Sequence, residues 1–178
     1  PLLGISGSLR GASFNTALLR AAREMRPDLI EVGDIRDIPL YDGDLETRGV
    51  PAAVLDLKRK VRAAKGVILV SPEYNHSVPG VLKNAIDWLS RPSDDLERIF
   101  NDKAIAVMGA TPGGFGTVLA QTAWLSVFQS IGARMSPSGR LLVSHAADVF
   151  DDAGRLHDDT SRDRLSRFLD EFAAFCAV

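Results

Sequence analysis

The chain has a single cysteine, Cys176, among 178 residues, so no internal disulfide can form and the fold must be held by packing. Within the terminal apolar set Leu165, Phe168, Leu169, Phe172 and Phe175, that thiol is expected to pack as a small apolar group. There is no uninterrupted apolar run of about 18 residues, the length a membrane-spanning helix needs. Pro1-Leu2-Leu3-Gly4 lacks the basic lead-in and the length of a secretory signal. The expectation is a soluble, cytoplasmic protein without a membrane partner. Lys and Arg total 21 against 23 Asp and Glu, for a net charge of −2, and no basic run occurs; a nucleic-acid partner is not expected. The three histidines, His76, His145 and His157, are widely spread and have no ligand spacing, so neither a metal site nor a catalytic triad is expected. His76 is read as a solvated or structural loop residue. Two common nucleotide loops are missing as well. No Gly-Lys-Ser or Gly-Lys-Thr is present, which excludes the phosphate loop of ATPases and GTPases, and no Gly-x-Gly-x-x-Gly follows the first strand, which excludes the dinucleotide fingerprint.

What is present is a chain of 46% hydrophobic residues, enough for one globular domain over residues 1–178. Leu2 to Ile5 and Leu29 to Gly33 read as strands, Thr16 to Met25 as a helix with Leu18, Ala21, Ala22 and Met25 on one face. A loop from Asp34 to Gly49 is followed by a helix beginning at Pro51, with Val54, Leu57, Val61 and Ala64 aligned. Gly66 to Ser71 is a continuous β-branched run, the mark of a strand covered on both faces and hence of a parallel sheet. A helix over Gly80 to Leu89, a polar connection through Arg91, Pro92, Asp94 and Asp95, and a strand over Lys103 to Met108 come next. The remainder reads as a helix over Thr117 to Ile131, a short strand near Met135, an irregular stretch through Leu141-Leu142-Val143, and a last helix from about Thr160. Alternating strands and helices predict a doubly wound α/β sandwich with helices on both faces. In such sheets ligands sit beyond the carboxyl ends of the strands, which brings the loops after the first, third and fourth strands to one place.

The first of those loops, Gly7-Ser8-Leu9-Arg10-Gly11-Ala12-Ser13-Phe14-Asn15-Thr16, carries the chemistry of an anion site. It opens a helix, where unpaired N–H groups and the helix dipole favour negative charge. Ser8, Ser13, Asn15 and Thr16 add short polar side chains, and Arg10 adds a guanidinium fork. One arginine in a compact loop suits a phosphate monoester better than a diphosphate. The ordinary alternative is that Ser13 or Asn15 caps the helix and the glycines turn the chain; clustering with Arg10 favours the anion. In the second loop, Pro72 to Pro79, Asn75 offers paired donor and acceptor groups for a uracil-like ring and Tyr74 an aromatic plane. Taken by itself, that segment reads as a turn ahead of a helix.

Gly7-Ser8-Leu9-Arg10 with Ser13 and Asn15, then Pro72-Glu73-Tyr74-Asn75 and Ser77-Val78-Pro79-Gly80-Val81-Leu82-Lys83-Asn84-Ala85-Ile86-Asp87-Trp88, together resemble the NADPH-dependent FMN reductase family, which includes quinone, chromate and azo-dye reductases. The resemblance implies a flavodoxin-like three-layer sandwich with a five-stranded parallel sheet, bound FMN, and NAD(P)H as co-substrate. By position, Ser8, Arg10, Ser13, Asn15 and Thr16 would hold the FMN phosphate. Pro72, Glu73, Tyr74 and Asn75 would border the isoalloxazine ring, with backbone groups at its pyrimidine edge. Thr111, Gly113 and Gly114 would lie at the ring's other margin, although Thr111-Pro112 departs from the small, less constrained residues of relatives. Because flavin carries the hydride chemistry, no catalytic side chain is expected. The implied activity is hydride transfer from NAD(P)H through FMN to quinones, free flavin, azo compounds or chromate.

Two other functions fit parts of this reading. An FMN-binding electron carrier without NAD(P)H oxidation would share the fold, but carriers are usually strongly acidic and lack an arginine in the phosphate loop. An enzyme acting on a phosphosugar or phosphoprotein would share the anion loop, but no nucleophile or base stands near it. Finally, the helix over Thr117 to Ile131 carries Val118, Leu119, Ala123, Trp124, Leu125, Val127, Phe128 and Ile131 around most of its circumference. An outer helix of this kind needs cover on two sides, and a homodimer or homotetramer is expected, as the resemblance also implies.

Overall fold

A computed structural model describes residues 1–178. In chain order the strands are β1 (Leu2–Ser6), β2 (Ile30–Gly33), β3 (Gly66–Val70), β4 (Ala104–Ala110) and β5 (Arg134–Val143). The helices are α1 (Phe14–Met25), α2 (Gly43–Arg48), α3 (Ala52–Ala63), α4 (Gly80–Leu89), α5 (Asp94–Phe100), α6 (Val118–Ser130), α7 (Ala146–Val149) and α8 (Asp159–Phe175). All strand pairs are parallel, in the order β2-β1-β3-β4-β5. The chain therefore runs outward from β1 to β2, returns across β1 to β3, and continues to the far edge.

Alternation along the strands builds two cores. Leu2, Ile68, Val70, Ala104, Ala106 and Met108 face one side, where α1 and α8 pack through Leu18, Ala22, Leu165, Leu169 and Phe172. Leu3, Ile5, Val67, Leu69, Ile105 and Val107 face the other, under α3, α4, α5 and α6 with Leu57, Leu82, Ile86, Phe100, Trp124 and Phe128. Successive strand side chains point to opposite faces, so an unbroken apolar run such as Gly66–Val70 serves both cores at once. Each fully buried Leu, Ile or Phe contributes about 1.5–3 kcal/mol relative to exposure. Cys176 packs at the margin of the α1–α8 core, where burial pushes its thiol up.

Besides the short helix α7, three stretches depart from the sequence reading. Residues 34–49 hold α2, and the polar connection after Leu89 holds α5. Helix α5 is fixed to α3 by an ion pair: Lys58 Nζ lies 2.6 Å from Asp95 Oδ2, with the lysine side chain only 2% exposed. Lys58 also donates to the Arg91 carbonyl, and Arg62 reaches the other Asp95 oxygen at 2.8 Å. The third departure is β5. The short strand near Met135 and the stretch Leu141–Val143 form one strand, interrupted where Ile105 pairs with Met135 but Val107 pairs with Arg140. Residues 136–139 thus oppose Ala106 alone, a bulge that hid the strand's length.

Candidate active site

The register sets the site. Ser6 pairs with Val70 and Val70 with Met108, so β1, β3 and β4 end close to one level and their following loops converge there. The convergence encloses a cleft of about 170 Å³ lined by Ser8, Arg10, Ser13, Phe14, Asn15, Pro72, Glu73, Tyr74, Ala110, Thr111 and Pro112. This is the carboxyl-end crevice at which β1 leads to β2 on one side and β3 lies on the other.

The first loop is shaped by its own hydroxyls. Ser13 is the N-cap of α1, its Oγ accepting from the amides of Asn15 at 3.2 Å and Thr16 at 3.5 Å. Ser8 Oγ accepts from the Arg10 amide at 3.3 Å, and Thr16 Oγ1 lies 3.0 Å from Ser6 Oγ. The capping role expected as the ordinary alternative for Ser13 is therefore present, and it leaves donors to spare. The amides of Leu9, Gly11, Ala12 and Phe14 have no acceptor within the protein, and the exposed Arg10 guanidinium has no ion pair or hydrogen bond. A cationic fork and four unpaired N–H groups at the start of a 12-residue helix are chemically suited to an anion.

Asn15 behaves differently from its neighbours. Its side chain is buried, with Nδ2 donating to the Ala110 carbonyl at 3.0 Å and Oδ1 accepting from the Ala110 amide at 2.9 Å. The amide thus ties the first loop to the end of β4.

In the second loop, Tyr74 and Ser77 exchange backbone hydrogen bonds of 3.1 and 3.0 Å around Asn75 and His76, whose φ angles are +50° and +61°. Two positive φ values in a two-residue connection are the signature of a type I′ turn. The turn leaves the amides of Asn75 and His76 without partners in the protein. Upstream, Ser71 Oγ donates to the Pro72 carbonyl and accepts from Trp124 Nε1 at 2.9 Å. The Glu73 carboxylate turns away toward α6, accepting from the amides of Leu119 and Ala120.

The third loop, after β4, is held by the start of α7, which sequence reasoning missed. His145 donates its amide to the Gly113 carbonyl at 3.0 Å, Ser144 Oγ donates to the Gly114 carbonyl at 2.9 Å, and the Ala146 amide donates to Thr111 O at 3.0 Å. The amides of Gly114 and Phe115 remain unpaired. Gly113 and Gly114 stand in the same loop as Thr111 but outside the residues lining the cleft. Phe14, which also lines the cleft, stacks on Phe150 with ring centroids 5.8 Å apart.

Comparison with known proteins bears directly on this geometry. Residues 1–148 match the model of the NADPH-dependent FMN reductase family. The chain belongs to that family. Among the similar members, an NAD(P)H-dependent FMN reductase of Pseudomonas aeruginosa is 41% identical over 170 residues, covering 94% of this chain and 90% of its own. A quinone reductase of Pseudomonas putida is 38% identical over 176 residues, covering 96% and 91%. The solved structure of FerB, a flavoenzyme NAD(P)H:(acceptor) oxidoreductase from Paracoccus denitrificans, superposes with a TM-score of 0.88 at 30% identity, covering 99% of this chain and 96% of that one. An archaeal flavodoxin, at 11% identity and a TM-score of 0.62, shares the fold. The reductase-family membership and the flavodoxin-like sheet are those that the sequence motifs implied, and no helix is long and apolar enough to cross a membrane.

Proposed function

We propose that this protein is an FMN-dependent oxidoreductase that takes reducing equivalents from NAD(P)H and delivers them to quinones or similar small acceptors. The observation that carries the reading is the convergence of three loops on one cleft, with Arg10 and a row of unpaired amides at one end. The residues fit the cofactor. Arg10, Ser8, Ser13, Thr16 and the free amides from Leu9 to Phe14 would hold its phosphate, supported by the helix dipole of α1. The unpaired amides of Asn75, His76, Gly114 and Phe115 would meet the polar edge of its ring, with Pro72, Glu73, Tyr74, Thr111 and Gly113 shaping the surround. Asn15 serves the same site as a brace between two of the loops.

When bound, FMN supplies the hydride chemistry. The chain's own part is to fix the ring at the mouth of the cleft, direct main-chain N–H groups at the edge where charge develops, and cover one face with protein. Half-exposed Tyr74 borders the open side, where nicotinamide and acceptor would take turns at one position. No side chain is needed as acid or base. The 178 residues act as one domain, and dependence on NAD(P)H suits an enzyme of the cytoplasm. On α6, Leu119 and Leu125 are 45% and 38% exposed, and Phe115 just before the helix is 82% exposed. These side chains would pack against a second copy, making a homodimer or a homotetramer, beside the cleft.

The test is anaerobic spectroscopy. Protein reconstituted with FMN should show the visible flavin bands, which NADPH or NADH bleaches and a quinone restores. Failure to bind FMN would remove the reading, and bound FMN that neither nucleotide bleaches would replace it with an electron carrier.

A further inference from the structure

We propose that Glu73 is a positioning residue, which holds the turn Tyr74–Ser77 in place by serving as the remote N-cap of α6; this rests on reading that turn as a border of the FMN ring. Helix α6 has no cap of its own. Thr117, at its N-cap position, has a φ of +65° and makes no side-chain capping bond. The free N–H groups of a helix's first turn need acceptors from elsewhere. Glu73 Oε2 provides one, accepting from the Leu119 amide at 2.9 Å and the Ala120 amide at 3.1 Å, 46 and 47 residues away in sequence. Its side chain is only 18% exposed, and its charge lies at the positive end of a 13-residue helix, where charge-assisted bonds to backbone amides are strongest.

The other carboxylate oxygen faces back to the turn, with Oε1 3.4 Å from His76 Nδ1. A second tie runs in parallel. Trp124, one helical turn beyond Ala120, donates through Nε1 to Ser71 Oγ, which in turn donates to the Pro72 carbonyl. Residues 71–73 are therefore suspended from α6 at two points, and the turn follows directly. That turn contains two non-glycine residues at positive φ, a conformation that persists only where its surroundings enforce it. Its own two backbone bonds, between Tyr74 and Ser77, do not fix where it stands relative to β3 and β4; the Glu73 carboxylate does. With one oxygen on the α6 amides and the other facing His76, Glu73 positions the turn.

The full chain with Glu73→Ala or Glu73→Gln tests this, by amide hydrogen exchange in the FMN-free protein and by FMN titration followed through flavin fluorescence. Glu73→Ala should speed exchange about tenfold at Leu119, Ala120 and Ser77 together, and should weaken FMN binding about tenfold, as expected when a charge-assisted bond is lost. Glu73→Gln, which keeps one neutral acceptor, should show smaller changes in the same direction. Faster exchange at Leu119 and Ala120 with Ser77 and FMN affinity unchanged would overturn the proposal, leaving Glu73 as a cap and nothing more. If unaltered protein takes up no FMN, the functional reading fails by itself, and the exchange of Ser77 still decides whether Glu73 holds the turn. Should Glu73→Ala not fold, Glu73→Gln decides the matter through the same two measurements.

Discussion

Replacing Asn15 by alanine removes the brace between the first and third loops, and the structure gives the size of the effect. Asn15 is 4% exposed and Ala110 3%, and the two exchange hydrogen bonds of 3.0 and 2.9 Å. Asn15→Ala leaves the Ala110 N–H and C=O buried without partners, and each orphaned group costs about 1–3 kcal/mol. The sum is on the order of 2–6 kcal/mol, with about 4 kcal/mol as its centre. For a chain of this length that corresponds to a fall in Tm of roughly 8–16 °C. Urea unfolding of the FMN-free protein, followed by circular dichroism, measures the loss independently of cofactor. The FMN-free protein is the right subject, since bound ligand would add its own stabilisation. A loss under about 2 kcal/mol, the low end of that range, accompanied by a large loss of FMN affinity, would refute the brace and make the Asn15 side chain a direct phosphate ligand.

Arg10→Ala should leave urea unfolding unchanged, because the exposed guanidinium makes no hydrogen bond or ion pair within the protein, yet weaken FMN binding by roughly 1.5–3 kcal/mol, the range for hydrogen bonds to charged groups; calorimetric titration of both proteins checks it. Asp95→Asn should cost on the order of 3 kcal/mol at neutral pH by leaving the nearly buried Lys58 without its counter-charge. The same variant has a pH signature. The Lys58 ammonium, aided by Arg62 and Arg98, holds the Asp95 carboxyl below its ordinary range. That stabilisation is complete above the unfolded carboxyl value of about 4 and is lost as pH falls through the lower folded value. Stability of the unaltered protein should therefore fall with acidification below about pH 4, and the profile of Asp95→Asn should be flatter there; parallel profiles would refute the linkage. The proposed homodimer or homotetramer should fall to monomers with Leu119→Glu in sedimentation velocity, and an unchanged sedimentation coefficient would overturn the placement of its contact on α6.

The sheet was readable because its information is local. Gly66–Val70 is buried residue for residue, and a run of that kind between Gly and Pro has few alternatives. Helix α1 was readable from its aligned apolar positions and from Ser13. The elements that escaped depend on distant partners. Helix α2 has no buried residue, so it leaves no apolar stripe to read. Helix α5 is fixed by Lys58 of α3, and β5 is split by a bulge that no period describes. The site divides in the same way. Arg10 and the serines suggest the proposed anion site from their spacing alone. The roles of Asn15 and Glu73 rest on atoms 95 and 46 residues away, and His145 enters only because α7 happens to close over Gly113. Short polar side chains near a loop show that hydrogen bonds will be made, but only the fold decides with what.

The bulge in β5 bears on how copies of this chain can meet. β5 is one edge of the sheet, and the displaced residues, with exposed Pro137 among them, interrupt the row of donors and acceptors that a visiting strand would need. At the opposite edge β2 offers only four residues. Both borders of the five-stranded sheet are therefore poor templates for a neighbouring strand, which disfavours stacking of copies into a continuous ribbon. The surfaces left for the proposed contact between copies are those of the helices, α6 among them.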